Sequence, residues 1–153
     1  MNRAPLVLVR DLATPVPPPR WPDGFVRLPF DTAGARSGHA LLADAYRNGF
    51  GAVDAFTDWH AALTSDEEYD PELCFLFAQG DRAAAFAQAW TSGFIKDFAV
   101  AADFRRRGIG TALLLTVFAM LRARGHEQAR LKVVAGNESA IALYRACGMQ
   151  IAP

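Results

Sequence analysis

A chain of 153 residues, 52% of them hydrophobic, can bury one good core and is too short to expect two. Sixteen basic and sixteen acidic residues leave no net charge, which argues against a protein built to coat nucleic acid or an anionic membrane. No apolar run approaches the roughly 20 residues that span a bilayer, MNRAPLVLVRDL is too briefly apolar for a signal peptide, and Cys74 and Cys147 lack a paired spacing, so free thiols in a reducing, cytoplasmic setting are expected.

In chain order, Met1 to Asp23 carries Pro5, Pro15, Pro17, Pro18, Pro19 and Pro22. That density predicts an extended arm rather than a helix interior or central strand, so the division expected is an arm over 1–23 and one folded domain over 24–153. Phe25 to Phe30 reads as a first strand, with Pro29 marking an edge. Asp31 to Gly38 reads as a turn, and His39 to Asn48 as a helix with Leu41, Leu42, Ala45 and Tyr46 on one face. A second helical piece places Phe56, Trp59, His60 and Leu63 on a stripe, with Thr57 and Asp58 as capping oxygens. Leu73 to Ala78 and Ala83 to Trp90 read as strands joined by the hairpin residues Gln79 to Arg82.

After the turn Thr91-Ser92-Gly93 comes the strand Phe94 to Val100, whose alternation places Phe94, Lys96, Phe98 and Val100 on one face and Ile95, Asp97 and Ala99 on the other. Thr111 to Arg124 is a helix with Leu113, Leu114, Val117, Phe118 and Leu121 turned inward and Gly125 as its stop. Ala129 to Val134 is then a strand, parallel to Phe94–Val100 through a right-handed crossover. Asn137 or Glu138 begins a last helix that runs to Ala146. The fold class expected is α/β of the α+β type: antiparallel strands, then a parallel pair joined by a crossover helix.

The charge, balanced overall, is unevenly placed. Eight acids and no Lys or Arg lie between Asp54 and Asp81, whereas Arg105, Arg106, Arg107, Arg122, Arg124, Arg130, Lys132 and Arg145 follow Lys96. Within the basic half, the turn Arg105-Arg106-Arg107-Gly108-Ile109-Gly110 opens onto the long apolar helix. Backbone N–H groups from Arg106 to Thr111 then converge at the positive end of a helix dipole, which makes an anion site suited to phosphate. Neither a third glycine for a dinucleotide fingerprint nor a GxxxxGK[ST] loop is present. Antiparallel strands also precede the turn, where a dinucleotide fold would begin with βαβ units.

The run Val100-Ala101-Ala102-Asp103-Phe104-Arg105-Arg106-Arg107-Gly108-Ile109-Gly110, followed by Asn137-Glu138-Ser139-Ala140 and Leu143-Tyr144-Arg145-Ala146-Cys147-Gly148-Met149, resembles the two motifs of the GNAT superfamily of acyl-CoA-dependent N-acyltransferases, in the same order. The stretch from Phe50 to Leu73 more faintly resembles halves of the mycothiol-synthase-like branch. The resemblance implies acetyl-CoA or coenzyme A as cofactor, bound by Phe98, Ala99, Val100, Arg105, Arg106, Arg107, Gly108, Ile109, Gly110, Thr111, Asn137 and Tyr144, and no metal. It implies acetyl transfer to an amine of a small molecule or peptide. Tyr144 would be the general acid, and the Val100 N–H would polarise the thioester carbonyl. Where members of the family often carry a glutamate, this chain has Lys96, either solvated or an anchor for an acidic substrate. Asp97 is then the first candidate for base or substrate ligand, against a purely structural strand aspartate, with His60 behind it. An acyl-CoA-binding sensor without turnover is the alternative function. The family's two final strands have little sequence left to form them, so either fewer strands close the domain or a partner chain covers the sheet edge left bare beside Ala129 to Val134, an edge that favours a homodimer.

Overall fold

The computed structural model describes residues 4–153. It contains one sheet of seven strands: β1 (Pro5–Asp11), β2 (Phe25–Leu28), β3 (Cys74–Gln79), β4 (Arg82–Ala89), β5 (Phe94–Val100), β6 (Gln128–Val134) and β7 (Gln150–Ile151). Their spatial order is β2-β3-β4-β5-β6-β1-β7. Only β5 and β6 run parallel. The helices are α1 (Thr32–Ala45), α2 (Phe56–Ser65), α3 (Ile109–Ala123), which makes the β5–β6 crossover, and α4 (Glu138–Ala146). The expected fold class holds, including a final strand of two residues.

Strand β1 corrects the expectation of an arm. Pro5 stands at its first position, where a missing N–H costs the ladder least, and Leu6–Asp11 contains no proline. The strand pairs with β6 along its whole length, from Pro5 opposite Val134 to Asp11 opposite Gln128, and on its other side with β7. The edge expected to lie bare beside residues 129–134, and to recruit a second copy, is therefore covered by the chain's own beginning. The later prolines do lie in irregular chain, but that chain is held down. Arg10, buried, donates from Nη1 to Thr14 Oγ1 (2.8 Å), from Nη2 to the Pro15 carbonyl and from Nε to the Cys147 carbonyl. Trp21 stacks on Phe77 with ring centroids 3.9 Å apart and donates to Thr116 Oγ1.

Helix α1 begins at Thr32, seven residues earlier than expected, with Asp31 Oδ1 accepting from the Gly34 N–H. Gly38 looked like a turn residue but lies inside this helix, where an added Cβ would stand 2.9 Å from the Phe86 ring. The glycine is there for close packing on the sheet. At α2 the N-cap is Ala55, and neither Thr57 nor Asp58 caps it.

The sheet separates two cores. On one face Leu113, Leu114, Val117, Phe118 and Leu121 of α3 pack with Phe75, Ile95, Leu131 and Leu8. On the other, Leu42, Trp59 and Leu63 pack with Leu76, Phe86 and Ala99. Each such side chain contributes roughly 1.5–3 kcal/mol on full burial. The strand that divides the cores is irregular. Gln88 faces Asp97 but Ala89 faces Ile95, so Lys96 is the extra residue of a β-bulge. The simple alternation expected for Phe94–Val100 is thereby broken. Ile95 joins Phe98 and Val100 on the α3 side, and Asp97 and Ala99 turn towards α1.

Candidate functional site

β5 and β6 pair only at Phe94–Arg130 and Ile95–Leu131. Beyond Ile95, at the bulge, they splay apart. On its other edge β5 stays bonded to β4, and the Ala101 N–H donates to the Ala84 carbonyl (2.8 Å). Alternation in an antiparallel ladder then commits the main chain of Ala99 and Asp97 to β4 and turns that of Phe98 and Val100 into the splay. The Val100 carbonyl there accepts from Arg105 Nε (3.1 Å).

At the open end of the splay lies the glycine turn. Gly108, with φ of 78°, is the N-cap of α3 without a side-chain cap, and the first intrahelical bond runs from the Ala112 N–H to the Gly108 carbonyl. The N–H groups of Ile109, Gly110 and Thr111 therefore have no partner within the helix. Arg106, with φ of 62°, is the only non-glycine residue with positive φ among those described. Left-handed residues at Arg106 and Gly108 fold the intervening amides into a concave nest, an anion-binding form. Gly110 lies so close to α4 that an added Cβ would come within 3.0 Å of Leu143.

Two cavities meet at the splay. The larger, about 570 Å³, is lined by Phe98, Ala99, Val100, Arg105, Arg106, Gly108, Ile109, Gly110, Thr111, Asn137 and Tyr144, together with Ala45, Tyr46, Phe50, Ser139, Ala140 and Leu143. Every cofactor residue expected from the sequence is in that wall except Arg107, whose guanidinium lies over the Phe104 ring. The smaller, about 200 Å³, opens on the other side among Lys96, Asp97, Lys132, Pro5 and Val134. Tyr46, Phe50, Phe98, Asn137 and Tyr144 line both.

Asp97 is buried where the two cavities approach. Its Oδ1 accepts from the Tyr46 hydroxyl (2.8 Å) and its Oδ2 from Lys96 Nζ (3.0 Å). Burial first, then the Asp97 charge and the hydrogen bond to it, with a smaller push from Tyr144, hold the Tyr46 phenol far above its ordinary range. Tyr144 lies edge-on to Phe98, with centroids 5.8 Å apart, and burial pushes its phenol up to about 12. It is therefore a neutral O–H at any physiological pH. Asn137 caps α4 through Oδ1 and the Ala140 N–H.

Other sequence candidates fall elsewhere. His60 stacks on Phe56 and lines neither cavity. The acidic stretch from Asp54 to Glu72, which by its charge would suit the substrate side, lines neither cavity. Arg124 binds Asp70 (2.7 Å) and Glu72 (2.9 Å), and its hydrogen bond is the main cause of the lowered Asp70 pKa. Glu68 accepts from the Ser92 N–H. Among the described residues no group of three or more His, Cys, Asp or Glu is placed to hold a metal, and no helix is long and apolar enough to cross a membrane. Sequence reasoning missed Tyr46, Phe50, Lys132 and Pro5 as site residues. For Tyr46 the available signal, a place on an apolar helix stripe, pointed to the core.

Residues 6–149 match the acetyltransferase (GNAT) family. A 93-residue stretch is 32% identical to the [ribosomal protein bS18]-alanine N-acetyltransferase of Escherichia coli K12, covering 59% of this chain and 63% of that enzyme. The crystal structure of a GCN5-related N-acetyltransferase from Sphaerobacter thermophilus superposes with a TM-score of 0.83 at 28% identity, over 98% of this chain and 49% of that one. The ribosomal-protein-S18-alanine N-acetyltransferase structure from Escherichia coli gives 0.67 at 26% identity, over 84% and 79%. The chain thus spans about half the Sphaerobacter protein and under two thirds of the curated enzyme.

Proposed function

Because this chain belongs to the GNAT acetyltransferase family, we propose that it transfers an acetyl group from acetyl-CoA to the amine of a small molecule or peptide, and that it does so in the cytoplasm. The observation that carries this reading is the turning of the Phe98 and Val100 main chain into the splay, between an anion nest on one side and the Asp97–Tyr46 pair on the other.

The residues present fit coenzyme A. Its pyrophosphate suits the N–H groups of Ile109 to Thr111, with Arg105 and Arg106 adding charge. The amide-bearing arm suits the edge of β5 at Phe98 and Val100 that β6 leaves open, as an added strand would. Bound there, the cofactor supplies the acetyl group as an activated thioester. The Val100 N–H, turned into the splay, would donate to the thioester carbonyl oxygen as charge develops on it. An alkyl ammonium, with a pKa of about 10.4, must lose a proton before it can attack. Tyr46, on the walls of both cavities, can accept that proton on its hydroxyl oxygen while passing its own to Asp97 Oδ1. Tyr144, a neutral O–H beside Phe98, would donate its proton to the departing sulfur.

Peptide N-terminal amines enter this class through the Escherichia coli relative, named for acetylating an alanine of bS18. The test is thiol release from acetyl-CoA against a panel of amines, with Tyr144→Phe beside the wild type. The expected result is amine-dependent release, with kcat lowered about a hundredfold or more in the variant. Coenzyme A binding by calorimetry with no release for any amine would reject transfer.

A further inference from the structure

We infer that the acceptor is a small amine carrying a carboxylate a few bonds from its nitrogen, held by Lys132 and Lys96 at the mouth of the smaller cavity. This rests on the acetyl-transfer reading and adds the acceptor class to it.

The last parallel pair is Ile95–Leu131, so Lys96 and Lys132 are the first residues beyond it, one on each strand, and both line the smaller cavity. They share a face of the sheet. Leu131 and Val133 are buried on the α3 side, which turns Lys132 to the opposite face, and the Lys96 ammonium reaches Asp97 on that same side. The same alternation along β6 puts Arg130 there too, exposed, beside Lys132.

Against these cations the smaller cavity offers one carboxylate, Asp97, and its two oxygens are already engaged by Tyr46 and Lys96. Lys132 takes part in none of the ion pairs among the described residues. One positive charge at the mouth is thus left unbalanced, in a cleft of about 200 Å³ walled by Pro5, Phe50 and Val134, a size for an amino acid rather than a folded partner. A polyamine or a lysine-rich peptide would meet repulsion there. A carboxylate on Lys132 would complete the charge balance and aim the neighbouring amine at Tyr46 and Asp97.

The test uses the intact protein with acetyl-CoA and matched acceptors: glutamate against its diamide, β-alanine against β-alaninamide, and spermidine as a cation. The amides have the less basic amines, so their larger free-amine fraction works against the inference. The expected result is a kcat/KM about tenfold or more higher for each carboxylate than for its amide, carried mainly by KM. The preference should fall towards parity in Lys132→Gln and reverse in Lys132→Glu. Lys132 is exposed, and coincident thermal melts would confirm that both variants fold. Thiol release with amides or spermidine equal to that with carboxylates, or an unchanged preference in both variants, overturns the inference and leaves acetyl transfer standing. The absence of thiol release with any of these amines overturns both.

Discussion

The two mouths of the β5–β6 splay are built by opposite means. On the proposed cofactor side the wall is mostly one run of chain, Phe98 to Thr111, and it would work largely through main-chain groups: the edge of β5 and the amides of the nest. On the proposed acceptor side the wall is assembled from Pro5, Tyr46, Phe50, Lys96, Asp97 and Lys132, which are scattered along the chain. A binding surface made of backbone holds whatever shares the cofactor's constant part, whereas one made of dispersed side chains can be changed one residue at a time. The first suits a ligand common to a family, and the second suits a choice among acceptors.

That contrast can be broken at several points. Asp97→Ala should cost most, lowering kcat by about two to four orders of magnitude while coenzyme A affinity measured by calorimetry moves little. A large loss of cofactor binding would show that the two sides are not separable. Leu8→Ala tests whether β1 is structural to the acceptor side. Leu8 is fully buried in the α3-side core, so denaturant unfolding should show a loss of about 3–5 kcal/mol, where a loose arm would register within about 0.5 kcal/mol.

Gly108→Val acts on the cofactor side alone. A β-branched residue forced to φ of 78° costs about 1–2 kcal/mol or more, which should appear as coenzyme A binding weaker by about tenfold. At neutral pH the last effect is nil. Burial, its largest cause, raises the Cys74 thiol from about 9 to about 12, with Asp70 adding to it, and burial alone raises the Tyr144 phenol from about 10 to about 12. Above pH 9 the unfolded chain loses these protons before the folded one does. Their stabilisation is complete below that pH and is lost as the pH rises towards 12, so the urea midpoint should decline across that window and stay flat, on their account, from pH 7 to 9.

The α3 helix, the nest and the crossover were legible because each depends on neighbours in sequence: an apolar face at helical spacing, glycines at the turn, a strand on either side. Gly38 misled because a glycine looks the same in sequence whether it bends the chain or makes room for Phe86. β1 was hidden by the prolines that follow it, although Leu6-Val7-Leu8-Val9 has the apolar character of a buried strand. The faces assigned around Lys96 and Asp97 were wrong at Ile95, since a bulge is set by register against β4 and leaves no mark within Phe94–Val100 itself.

Read alone, the sequence determined the order of elements from β2 to α4 and the glycine turn that opens α3, because backbone conformation follows from local residue types. The tertiary structure alone decided which side chains meet across the splay. That depends on pairings between distant segments, β1 with β6 and Gln88 with Asp97, and on the one-residue slip at Lys96 that brings Asp97 under Tyr46.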